Sequence, residues 1–247
     1  ADDNFASIAA AVHEGRAVYD NIRKVVAFTL PTNGGEALAV AVAIIAGWAL
    51  PMTAPQILWI NMVLSITLGL VLAFEPPEAN VMLRPPRQRR APLISPFMLW
   101  RIALVSVLFC IGGFGIFTWA QGRGLDVETA RTMVVNTFCV MEIFYLFSVR
   151  YLHASSFSMQ GVRGTPAVLW AIMAVVAAQL AFTYLPWMQM LFDTRPVPVF
   201  EGSVIILVGA AMLVLLEVEK WVLRKLAIFE ELTPVVPHAA TLPQGAT

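Results

Sequence analysis

Six apolar stretches, at about 25–49, 56–74, 98–119, 129–149, 166–187 and 202–222, constrain this chain more than any other feature. Each comes close to the length of about 20 residues that a helix needs to cross the hydrocarbon of a bilayer. Inside lipid a backbone must satisfy its own hydrogen bonds, and for separated spans only the α-helix does so. The expected fold is therefore all-α: an integral membrane bundle of about six transmembrane helices. Phe5–Lys24 mixes Phe5, Ile8, Val12 and Val18 with His13, Glu14, Arg16, Asp20 and Arg23, and reads as a stalk helix outside the lipid that runs into span one, its first amides capped by Asp2, Asp3 or Asn4. Thr233–Thr247 has no periodicity and reads as a disordered tail. The expected regions are 1–24 (stalk), 25–225 (spans) and 226–247 (tail).

Charge placement sets an expected orientation. All but Arg123, Arg131 and Arg195 of the 16 basic residues fall on one side of the spans, which places both termini in the cytoplasm by the positive-inside rule. Trp48, Trp59, Trp119 and Trp187 lie near outer ends, and Trp100, Trp170 and Trp221 near inner ends, as headgroup-level markers. Acidic and basic residues balance at 16 each, so no net field favours nucleic acid, and the lipid bilayer is the expected partner. Cys110 and Cys139 lie far apart in apolar runs, which argues against a disulfide framework and a structural zinc site.

Ionisable groups in hydrocarbon cost about 2.5–3.5 kcal/mol each and need a partner, an ion or a wet cavity. Glu36 in span one and Glu142 in span four reach similar depth; Glu36 lies roughly 18 Å from Trp48 at about 1.5 Å per residue. Pro31 lacks an amide donor and Gly34-Gly35 permits unwinding, so span one is expected to break there and free its carbonyls. Asn33 shares a helical face with Glu36, and Asn61 shares one with Ser65 in span two. The set Asn33, Glu36, Asn61, Ser65 and Glu142 offers oxygen ligands suited to hard cations. Each part also has a structural reading: Pro31 as a repaired kink, Asn61 and Ser65 as interhelical glue, Glu142 as partner of another polar group. Glu217 and Glu219 beside Lys220 read as a salt-bridged helix end.

These residues resemble a known family. Ala1–Ile8 and Val12–Lys24 look like the exit from the phosphorylation domain and the stalk of type II P-type cation-transporting ATPases of the calcium-pump kind. Pro31-Thr32-Asn33-Gly34-Gly35-Glu36 resembles the ion-site segment of that family's fifth transmembrane helix, and Ile57-Leu58-Trp59-Ile60-Asn61 the start of its sixth. Phe74-Glu75-Pro76-Pro77 with Arg84-Pro85-Pro86-Arg87 resembles the loop after that helix. The likeness is specific over about residues 1–90 and looser beyond.

The resemblance implies that Asn33, Glu36, Asn61 and Glu142 are cation ligands, and that Glu14, Arg16, Tyr19 and Arg23 belong to a coupling stalk. It implies that ATP and Mg2+ act in upstream catalytic domains and that four further transmembrane helices precede span one. The plasma membrane is the expected residence. The transported cation stays open among calcium, sodium, potassium and proton. Ser65 stands where calcium and sodium/potassium pumps usually carry an Asp, which weakens calcium and favours a monovalent ion or a single site. The family's Asp-Lys-Thr-Gly-Thr motif is absent from these 247 residues, so no catalytic residue for ATP hydrolysis is expected among them. A free-standing six-span channel or secondary carrier, and a non-catalytic membrane subunit, stay open as alternatives.

Overall fold

A computed structural model of the chain describes residues 5–77, 81–82, 92–150, 166–226 and 228–229. The expected cap at Asp2–Asn4, the basic loop residues Arg84–Arg90, the loop Tyr151–Thr165 and the tail from 230 onward lie outside them. Among the described residues the fold is all-helical. The helices are α1 (Phe5–Ala46), α2 (Ala54–Trp59), a π-helical segment (Ile60–Ser65), α3 (Ile66–Ala73), α4 (Pro96–Gly122), α5 (Val127–Arg150), α6 (Pro166–Tyr184), α7 (Pro186–Phe192) and α8 (Val199–Lys225). Among the described residues six units are long and apolar enough to cross a membrane: α1, the run from α2 to α3, α4, α5, α6 and α8. The stretch 188–201 between the fifth and sixth apolar runs is partly helical, because Pro186 and Val199 each start a helix where proline's fixed φ is already helical or where Pro198 caps the turn.

Local chemistry sets the helix ends. Ser95 accepts from the Met98 amide at 3.2 Å, with Pro96 next in the chain as the first helical residue of α4. Asp126 accepts from the Thr129 amide at 2.9 Å and starts α5. Gly47 takes a left-handed conformation, φ 65°, which lets the Trp48 amide return to the Ala43 carbonyl at 2.9 Å and closes α1.

The spans are arranged around α5. Of its apolar window 72% is buried, against 28–44% for the other five, so α5 is the central helix and the rest expose one face. α1 packs on α4, α4 on α5 and α5 on α8. Small residues allow the closest approaches: a Cβ on Gly35 would lie 2.4 Å from the Phe109 Cβ of α4, and one on Gly209 would lie 2.6 Å from Val140 of α5.

Span one does not break. α1 stays helical through Pro31, Gly34 and Gly35 over its 42 residues. Its proline defect is repaired from outside: the Ala27 carbonyl, which the missing Pro31 amide would have served, accepts from the Tyr145 hydroxyl of α5 at 2.7 Å. The Pro31 carbonyl accepts from Ser106 of α4 at 3.0 Å. Gly34 and Gly35 serve close packing rather than unwinding. The irregular backbone lies in span two instead, at Ile60–Ser65, where the Ile66 amide bonds the Asn61 carbonyl five residues back.

Beyond α8, the Ile228 amide returns to the Leu223 carbonyl at 3.3 Å, and the Phe229 ring lies 5.6 Å from Phe97. The part of the expected tail that is described therefore packs against α4.

Candidate cation site within the spans

Glu36 and Glu142 come from α1 and α5, both of which pack against the π-helical segment. Glu36 is 4% exposed and Glu142 is fully buried. The Asn61 side-chain amide donates to Glu36 Oε2 at 2.6 Å and to the Ile57 carbonyl at 3.1 Å. The Ser65 hydroxyl donates to Glu142 Oε1 at 3.4 Å. Asn61 and Ser65 thus tie one acid each.

The other oxygen of each acid, Glu36 Oε1 and Glu142 Oε2, is buried without a hydrogen-bond partner. Among the described residues no Lys, Arg or His pairs with either acid. Buried polar atoms nearly always find partners, so an orphaned carboxylate oxygen on each of two acids bonded to the same π-helical segment is unusual. No group of three His, Cys, Asp or Glu converges among the described residues. The arrangement is two acids supplemented by neutral oxygens, a hard-ligand set.

Asn33 is placed differently from expectation. It is exposed, whereas Glu36 turns inward, because residues three apart on a helix still diverge by about 60°. Asn33 instead lines a groove of about 610 Å³ between α1 and span two, whose walls include Thr29, Leu58, Asn61, Ser65 and Leu70. Asn61 and Ser65 therefore border both the acids and this groove.

Residues 49–222 match the family described as "Cation transporting ATPase, C-terminus". The chain belongs to that family. It is 48% identical over 201 residues to "Probable cation-transporting ATPase F" of Mycobacterium tuberculosis, an alignment covering 80% of this chain and 22% of that protein. With "Cation-transporting ATPase pma1" of Synechocystis it shares 40% over 200 residues, 79% of this chain and 22% of the relative. "Calcium-transporting ATPase 1" of Yarrowia lipolytica is 29% identical over 223 residues, 90% and 24% respectively. The chain spans about a quarter or less of the length of these relatives.

Within this cation-transporting ATPase region, the stalk residues are distributed unevenly. Arg16 donates to the Val81 carbonyl at 2.8 Å, and Arg23 to Ser95 at 3.5 Å, so both fasten the stalk to the loop between α3 and α4. Glu14 is exposed beside His13, 3.3 Å away, and Tyr19 is half-buried. A stronger fastening escaped sequence reasoning. Glu75, which the sequence places only in the loop after span two, is buried and takes Lys24 of α1 at 3.0 Å on one oxygen and Arg150 of α5 on the other. Asn21 adds side-chain bonds to the carbonyls of Ala73 and Glu75 at 3.1 and 2.8 Å. The spacing of Asn21 and Lys24, three apart on one face, was the available signal.

At the same end of the bundle Lys220 pairs with Glu217 at 2.8 Å, while Glu219 pairs with Arg101 and accepts from Trp100 at 3.0 Å. Glu217, Glu219 and Lys220 form the salt-bridged helix end that their sequence suggests, extended onto α4.

Proposed function

We propose that this chain is the ion-translocating membrane portion of an ATP-driven P-type cation pump, and that Glu36, Asn61, Ser65 and Glu142 bind the transported cation, with Asn33 at the rim. The observation that supports this most is the pair of orphaned oxygens on two buried acids from different helices. A cation between them would supply the missing partners and neutralise charge that is otherwise costly in a low-dielectric setting.

In this reading ATP and Mg2+ act in upstream domains of the parent protein, and a further set of four transmembrane helices borders the groove that Asn33 lines. Both termini lie in the cytoplasm and the pump resides in the plasma membrane. The exposed Phe5, Ile8, Val12 and Val18 of the stalk then face the catalytic domains. Their movement reaches both acids through Glu75, since it holds α1 through Lys24 and α5 through Arg150. Membership of the ATPase family favours this reading over a free-standing channel or a separate subunit.

The test is replacement of Glu36 and Glu142 by Gln, singly, in the full parent chain. Cation-stimulated ATP hydrolysis and transport fall by about tenfold or more if each acid contributes a charge-assisted contact of about 1.5–3 kcal/mol. Activity and cation dependence unchanged in both variants would remove the site assignment.

A further inference from the structure

Trp59 ends α2, immediately before the π-helical segment, and its ring is held by the fifth span and the short helix after it. Its indole N–H donates to Gln179 of α6 at 3.1 Å. Its ring stacks on Phe182 at 5.1 Å and meets Phe192 of α7 edge-on at 5.2 Å. Gln179 is 5% exposed and is itself held, its amide donating to the Asn136 side-chain oxygen of α5 at 3.2 Å. Asn136 lies six residues before Glu142 on the same helix.

Span two is therefore tied to α5 twice: directly through Ser65 and Glu142, and indirectly through Trp59, Gln179 and Asn136. The π-helical turn lies between these two ties. Such a turn is rarer than the α form and persists where its surroundings demand it. Its extra residue rotates the later part of span two by about 100° relative to the earlier part. With Trp59 held toward α6, that rotation is what lets Asn61 and Ser65 face the acids.

We propose that Gln179 is a positioning residue: through Trp59 it holds the π-helical turn that aims Asn61 and Ser65 at Glu36 and Glu142. This rests on the cation-site reading for its functional consequence and on the helix geometry alone for its structural one. Gln179 touches no acid and belongs to a helix that contributes none to the site.

The experiment uses the full parent chain carrying Trp59→Phe, Gln179→Leu or both. Trp59→Phe keeps the ring stack and removes only the N–H, so it guards against a simple folding failure. ATPase rate is titrated with calcium, sodium and potassium ions in turn, and the structure of each variant is determined by electron cryo-microscopy. The expected result is a shift of the Ile66 amide from the Asn61 carbonyl to that of Met62, with loss of the Asn61–Glu36 bond. The half-saturating cation concentration rises about fivefold in each single variant, without a further rise in the double variant, while the maximal rate stays within about twofold. A π-helical turn and Asn61–Glu36 bond retained in both single variants would overturn the proposal. A turn that reverts while cation dependence is unmoved supports the positioning role and counts instead against the cation-site reading.

Discussion

Tyr145 donates its hydroxyl to the Ala27 carbonyl, the one helix acceptor that Pro31 leaves unserved. An apolar environment makes such an acceptor expensive when unpaired, about 1–3 kcal/mol. The side chain of the central helix therefore substitutes for a backbone bond of its neighbour, and Phe28 stacked on the Tyr145 ring at 5.9 Å keeps it there.

Replacing Tyr145 by Phe should lower stability by about 1–3 kcal/mol, read as a reduced melting temperature in detergent. In a Pro31→Ala background the Ala27 carbonyl regains an amide partner, so the same Tyr145→Phe change should cost less than half as much. Equal costs in the two backgrounds would separate Tyr145 from the proline defect.

Gly35→Ala sets a methyl 2.4 Å from the Phe109 Cβ, an atom that cannot swing away, so α1 and α4 must separate. A loss of about 1–3 kcal/mol is expected. Gly115→Ala on α4, with nothing within 4 Å of its added Cβ, is the control and should be neutral or slightly stabilising. Thermal unfolding of the two variants side by side decides the matter.

Glu75→Gln leaves Lys24 and Arg150, whose side chains are 10% and 4% exposed, without their shared counter-charge. Removing one member of a buried ionic group costs about 3–5 kcal/mol. The melting temperature should fall, and a concurrent Lys24→Met change should recover part of the loss. No fall would mean that the loop carries no structural charge link.

Ser65→Asp adds a third carboxylate beside Glu142 and Glu36. More negative charge in one cage favours divalent over monovalent ions. The ratio of calcium to sodium needed for half-maximal ATPase stimulation in the parent pump should fall by about tenfold, and an unchanged ratio would exclude Ser65 from the site.

Hydrogen bonding from the Thr129 side chain, then from its amide, and the charge of Arg195 hold the Asp126 carboxyl below its ordinary range. A depressed folded-state value means that the ionised cap stabilises above the unfolded value of about 3.9 and loses this as pH falls through the folded one. Asp126→Ala should lower the melting temperature at pH 7, and the difference from the unaltered chain should shrink in strongly acidic buffer.

Hydropathy, counted residue by residue, determined the number of spans, their approximate limits and the presence of two acids within them, since lipid judges each segment on its own length and composition. The motifs around Pro31–Glu36 and Ile57–Asn61 determined the family. Tertiary structure decided what each polar group meets. It kept span one helical by lending it Tyr145, moved the irregular turn into span two, and made Glu75 and Gln179 into anchors. Such outcomes depend on how each helix is rotated about its axis and on which neighbour faces it, and no property of a single segment carries that information.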